Sequence, residues 1–454
     1  MVISRFFTLS ALFLLLSGGC TTQRDPLVAP VALPQQYAQT LGSDDLTEGW
    51  LSALAEPSVV TLARQAVAQN YALGQQAQLV RLAEEAVVLS GANRLPSASI
   101  SAGGQRSRAF LDGLIAESYD VSAQVNFDID LWGSLAQEQR SARLSYAAEV
   151  LRFQRAERLL VGNTLITAYN LITAQRLQTL FQQRLVNLTR SLDVIERGYR
   201  GGLNEALDVY LAQTNLEQER ASVATQEQAR FEAATALQRL VSAYPDAQLD
   251  LGIELPSLPP LPGHGLPSDL LQRRADVQQA WLELLAADAD LAVAQRNRFP
   301  SVTLQLSGRD TDASLGQLLD GGKLAFTAAA SLVQPLFQGG RLRSLERQAE
   351  ARVIQSEQRY LEVLYDALSD VENELKRSET LSARLAANRQ AERNARSALE
   401  LAEDQYGRGI VTYTTVLESQ RRAFDAQTSV VQLENQLVQN RIALHLALGG
   451  GFEA

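Results

Sequence analysis

Very few side chains in this 454-residue sequence could carry covalent or metal chemistry. There is one cysteine, Cys20, and there are two histidines, His264 and His445, far apart in the chain. A zinc site draws on three or four nitrogen and sulfur ligands and a disulfide needs two cysteines, so neither fits. No Walker loop, dinucleotide fingerprint or Gly-x-Ser-x-Gly elbow occurs, and Gly339-Gly340 lacks the preceding strand and following lysine that a phosphate cradle requires. Neither an enzyme nor a cofactor is expected. The aspartates carry a different message: Asp120, Asp128 and Asp130 occupy the polar positions of a strictly alternating stretch, where they would line a wet surface. With 51 Asp+Glu against 41 Lys+Arg the chain is not built to track phosphate backbones, and nucleic acid is not an expected partner.

That leaves the thiol of Cys20. Residues 1–19 hold one charge, Arg5, then the apolar run Phe6–Leu16 and the small residues Ser17, Gly18 and Gly19. The segment is too short to span a bilayer and reads as a secretory signal. Its end resembles the bacterial lipoprotein box, in which small residues precede a cysteine that is acylated on sulfur, although Ser17 stands where that box prefers leucine. Residue 21 is Thr, not the Asp that commonly retains bacterial lipoproteins at the inner membrane, so Cys20 is expected to be lipidated and bound for the outer membrane. Signal cleavage also removes Met1, the only methionine, which excludes thioether binding of copper or silver.

The elements around these residues come in two copies. Tyr199, Gly202, Val209 and Gln213 recur 207 positions later as Tyr406, Gly409, Val416 and Gln420, and Gly133 recurs as Gly340. Further upstream, Asn93-Arg-Leu-Pro-Ser97 returns as Asn297-Arg-Phe-Pro-Ser301. Two repeats of this length imply a duplicated half-protein. The expected division is a signal at 1–19, an extended arm at 20–56, a first repeat at 57–244, a proline-rich linker at 245–267 and a second repeat at 268–454.

Inside each half the periodicity switches. Residues 57–94 predict a helix. Tyr119, Val121, Ala123, Val125, Phe127, Ile129 and Leu131 then alternate with polar residues, predicting a hairpin over 97–131 whose counterpart lies at 301–336. Each strand has about the length of a tilted bilayer-crossing strand. Phe181, Leu185, Leu188, Leu192, Ile195 and Tyr199 follow at coiled-coil spacing in a proline-free run from Gly133. Such a helix would be about 100 Å long. It is expected to return over 203–242, with 341–406 and 413–448 repeating the pair and the glycine-rich turns forming hairpin tips. Four strands cannot close a barrel, and open strand edges are prohibitive in lipid, so a spanning chain must associate. Three copies supply twelve strands, enough for a water-filled lumen.

Together the residues resemble the TolC-like outer-membrane factor family, in particular its lipoprotein branch. The resemblance is carried by the lipobox, Trp50 with Asn70, Asp130-Leu-Trp-Gly133, the two tip repeats, Gly265-Leu-Pro-Ser-Asp-Leu-Leu-Gln-Arg-Arg-Ala-Asp-Val277, Phe299-Pro-Ser301 and Gln334-Pro-Leu-Phe-Gln-Gly-Gly-Arg341. It departs at Ala275, where the family usually has proline, and at Val411, where some members carry a polar tip residue. The resemblance implies an α+β membrane protein: a homotrimer with a twelve-stranded outer-membrane β-barrel, four strands per chain, continued by a long α-helical coiled-coil barrel in the periplasm. It further implies a passive efflux conduit for small molecules, joined by a periplasmic adaptor to an inner-membrane transporter. Gly198, Tyr199, Arg200, Gly202, Leu203, Gly407, Arg408, Gly409 and Ile410 are the expected adaptor contacts. The family's tip latch falls on Asp208 and Tyr406, with Arg408 and Glu418 as further gate candidates because of Val411. Asp120, Asp128 and Asp130 are expected to make the lumen acidic. Two alternatives stand beside this reading: a channel for secreted proteins, and a pore-less periplasmic adaptor lipoprotein, which would need only one helical hairpin.

Overall fold

In the computed structural model of the chain the described residues are 33, 36–38, 55–108, 115–258, 261, 267–320 and 324–450. Cys20, Trp50 and His264 lie outside them. Helices α1 (Pro57–Gln69) and α2 (Tyr71–Ala92) lead into strands β1 (Ser97–Arg108) and β2 (Ile115–Ile129), and these into α3 (Ser134–Arg200) and α4 (Ala206–Leu240). The second half runs through a 3-10 turn at Pro267–Asp269, a single turn α5 (Leu270–Arg273), then α6 (Ala275–Arg296), β3 (Ser301–Asp312), the short α7 (Leu315–Leu319) and β4 (Ala325–Val333). It ends in α8 (Arg341–Gly407) and α9 (Tyr413–Ala447). The paired helices match in length: α3 and α8 have 67 residues each, and α4 and α9 have 35.

The helix expected over 57–94 is two helices. Asn70 leaves the helical region at ψ 122°, and its side-chain oxygen caps α2 by accepting from the backbone N–H of Ala72 and Leu73. Its amide donates to the Leu240 carbonyl, 170 residues away, so a tertiary contact holds the break open. No helix among the described residues is long and apolar enough to cross a membrane.

All four strands form one antiparallel sheet in the order β1-β2-β3-β4, so the two hairpins meet through β2 and β3. Register places Ile100, Val121, Val125, Leu304, Leu306, Phe326 and Leu332 on one face, all exposed. Asp120, Ser122, Gln124, Asn126 and Asp128 share the other face with Thr303, Gln305, Ser307 and Arg309. Among the described residues, no strand lies beside the outer edges of β1 and β4. The sheet passes into the long helices through Gly133 (φ 75°) and Gly340 (φ 86°), left-handed positions that only glycine occupies without strain. Leu131, expected to end β2, lies past it.

The helices pack as the heptads require. Leu188 and Ile195 of the α3 seam are buried, and Ile195 joins Ala212, Ala402, Tyr413 and Val416 in an apolar cluster near the tips. A larger cluster around Leu165, Leu171, Leu237 and Ile442 takes in α1, the middle of α3 and the ends of α4 and α9. Beyond α4 the described part of the linker lies against that cluster through Ala247, Leu249 and Leu251. His445 is 3% exposed in α9, where burial and the neighbouring Arg441 push its imidazole down to about 4, so it is neutral at physiological pH.

Candidate functional site: the polar sheet face and the helix tips

Two regions hold the residues singled out in the sequence. The first is the wet face of the sheet. Asp128 accepts from the Thr303 hydroxyl at 2.7 Å, and Asp120 lies 3.4 Å from the Arg309 guanidinium. Asp130 does not belong with them: it stands just beyond β2, and its two carboxylate oxygens accept from the backbone N–H of Leu135 and Ala136. It caps α3, where a negative charge meets the positive end of the helix dipole. The expected acidic trio is therefore one carboxylate bound to a hydroxyl, one ion pair and one cap. Arg309 was not singled out in the sequence, because pairing it with Asp120 requires knowing that β3 lies beside β2.

At the foot of the sheet, the Trp132 indole stacks on Phe299 with centroids 5.1 Å apart and donates to the Pro300 carbonyl. Arg296 donates to the Gly133 carbonyl at 2.7 Å. These contacts bind the strand-to-helix turn of the first half to the helix-to-strand turn of the second.

The second region is the far end of the hairpins. Both tips end their long helix in the same way: Leu203 N–H reaches back to the Gly198 carbonyl, and Ile410 N–H to the Gln405 carbonyl, across Gly202 (φ 74°) and Gly409 (φ 72°). This leaves Leu203 and Ile410 at 85% and 66% exposure, two large apolar side chains in the open. Arg200 and Arg408 fold back on Glu196 and Asp404 of their own helices. Tyr199 is exposed.

Of the gate candidates, Glu418 is engaged within α9, where hydrogen bonds from Arg421 and Arg422 hold its carboxyl below the usual range. Tyr406 sits 5.6 Å from the Tyr413 ring and donates its hydroxyl to Asn204 at 3.1 Å. Its expected partner, Asp208, is directed instead to the backbone N–H of Glu205 at 3.4 Å, as in one arm of a capping box. Burial first, and then the nearby Asp208 charge, raise the Tyr406 phenol above its ordinary value, so its proton stays in place. Asn204 carried no sequence signal beyond a turn preference.

The described residues thus build one four-stranded sheet with an apolar and a polar side and two helical hairpins of equal build. Residues 62–243 and again 266–450 match a family described as outer membrane efflux protein. The chain belongs to that family. It is thus an outer-membrane protein of efflux systems, and the one-hairpin adaptor alternative is set aside. It is 28% identical over 456 residues to the pyoverdine export outer membrane protein OpmQ of Pseudomonas aeruginosa, covering 97% of this chain and 96% of that one. It is 27% identical to the probable outer membrane lipoprotein SilC of Salmonella typhimurium, covering 99% of both. A crystal structure of CusC, described in terms of folding and transmembrane channel formation, superposes with a TM-score of 0.85 at 25% identity, covering 95% of this chain and all of the other.

Proposed function

We propose that three copies of this chain join their sheets edge to edge into a twelve-stranded outer-membrane barrel, continued into the periplasm by twelve helices. Each chain contributes two halves of one duplicated plan, 57–244 and 268–454. The observation that carries this reading is the sheet itself: one face bears exposed apolar side chains from all four strands, the other is polar, and neither outer edge has a partner strand among the described residues. In lipid those edges must be paired. The conduit is passive and draws its cargo from a periplasmic adaptor and an energised inner-membrane transporter docked at the tips. Small molecules are the cargo class, and a relative named for pyoverdine export supports that over secreted proteins.

The purified protein in a planar bilayer tests this reading. It should conduct and prefer cations, because lumen carboxylates within low-dielectric walls focus a negative field. Asp128→Asn should weaken the preference and Arg309→Ser should strengthen it, since the latter frees Asp120. Clear anion preference in a salt gradient, or an absence of conductance, refutes the proposal.

A lipid on Cys20 tethers the mature chain, and a lipoprotein relative supports this. Two or more acyl chains hold a protein stably on a membrane. Cys20→Ser should abolish labelling by radioactive palmitate while much of the protein still reaches the outer membrane through its apolar sheet face. Labelling that persists would place the lipid elsewhere.

A further inference from the structure

The two tip turns repeat, but the residues around them do not. The position equivalent to Gly198 in the second half is Gln405, and the position equivalent to Asn204 is Val411. In the first half these two residues make a socket. Asn204 follows the α3 turn, and its amide nitrogen donates to the Ile195 carbonyl at 3.1 Å, back over the last turns of α3. Room for that amide exists only because residue 198 has no side chain: a Cβ there would collide with the Asn204 amide nitrogen. Folded back in this way, the amide oxygen of Asn204 faces the second hairpin and accepts the Tyr406 hydroxyl at 3.1 Å. Tyr406 is fixed from behind by the Tyr413 ring and the apolar cluster of Ile195, Ala402 and Val416.

We infer that Asn204, seated on Gly198, is the positioning residue that holds the second helical hairpin of each chain to the first at the tip, and so sets the width of the resting conduit. The consequence for gating rests on the channel reading above; the link between hairpins does not. Asp208 acts one step away, by fixing the start of α4 and lending its charge to the neighbourhood of Tyr406.

Paired spin labels at Leu203→Cys and Ile410→Cys, in a Cys20→Ser background diluted with unlabelled chain, report the separation of the two tips in detergent-extracted protein. Without further change the distance distribution should be narrow. Asn204→Leu keeps the branching and heavy-atom count and removes both hydrogen bonds, and Gly198→Ala displaces the amide while improving helix propensity; both should broaden and lengthen it. The opening equilibrium in a planar bilayer should rise about fivefold per chain, the value of one neutral hydrogen bond. Tyr406→Phe should match Asn204→Leu, and the double change should add little to either, as expected of one shared contact. Asp208→Asn should have the smaller effect. Distances and conductance unchanged in both Asn204→Leu and Gly198→Ala overturn the assignment, as does a larger effect from Asp208→Asn. Tips that separate while no variant conducts uphold the link and overturn the conduit reading instead.

Discussion

Arg274→Leu should destabilise the folded chain by about 3–5 kcal/mol, the range seen when one member of a buried ion pair is removed. Arg274 and Asp276 are each 8% exposed. The guanidinium grips Asp276 with two bonds of 3.0 and 2.7 Å, reaches Asp370 of α8 at 3.0 Å and donates to the Ala447 carbonyl at the end of α9 at 3.2 Å. Arg155 of α3 approaches the same Asp276 carboxylate at 3.4 Å. One planar fork therefore joins the start of α6, the middle of α8 and the last carbonyls of α9, with α3 alongside. Burial alone would raise the Asp276 carboxyl, but the hydrogen bonds and charge of Arg274 hold it below the usual carboxylate range. Its share of stability is thus present above the unfolded carboxylate value, near 4, and is lost as pH falls through the lower folded value. Leucine at 274 strips the buried Asp276 carboxylate of its bidentate partner and the end of α9 of a donor. Arg274→Lys should recover only part of the loss, because an ammonium cannot bind bidentately and reach two further acceptors. Adding Asp276→Asn to Arg274→Leu should also recover part, by removing the orphaned charge. Guanidinium unfolding followed by tryptophan fluorescence compares the three variants with the unchanged chain; a loss below about 1 kcal/mol in Arg274→Leu, the scale of an exposed pair, would show that the node is not structural.

Gly202→Glu and Gly409→Glu should each abolish efflux while leaving assembly intact. Both positions have positive φ, so a side chain costs about 1–2 kcal/mol in local strain. That strain falls on an exposed turn, and a Cβ at either site meets no atom within 4 Å. The substituent therefore points into the space where an adaptor helix would approach, beside the open side chains of Leu203 and Ile410. An uncompensated charge buried in such an interface costs about 2–5 kcal/mol, or a factor of about 30 to 5,000 in affinity. Drug resistance restored to a strain lacking its own chain is the readout, with oligomer yield on a native gel as the control for folding. Alanine at the same positions carries the strain without the charge and should retain most of the activity. Full resistance with both glutamate variants would show that partners dock elsewhere.

The sequence by itself determined the features whose cause is local. Alternation from Tyr119 to Ile129 can only be a two-faced strand, since successive side chains on an extended backbone point to opposite sides. The seam through Leu188 and Ile195 can only be a helix edge, and Gly202 and Gly409 mark its end because that backbone conformation excludes a Cβ. The matching offsets also foretold four long helices within a few residues of their observed ends. Tertiary structure decided which groups meet across large sequence separations. Asn70 breaks a helix whose pattern runs straight through it, because the Leu240 carbonyl holds its amide. Asp130 reads as a lumen carboxylate until the turn at Gly133 folds α3 back to present two N–H groups. Tyr406 finds Asn204 and not Asp208, and Arg274 finds Asp370 and Ala447, across 202, 96 and 173 residues. Periodicity is written residue by residue into backbone geometry; a hydrogen bond between distant helices exists only once packing has fixed their register, and no local pattern encodes that.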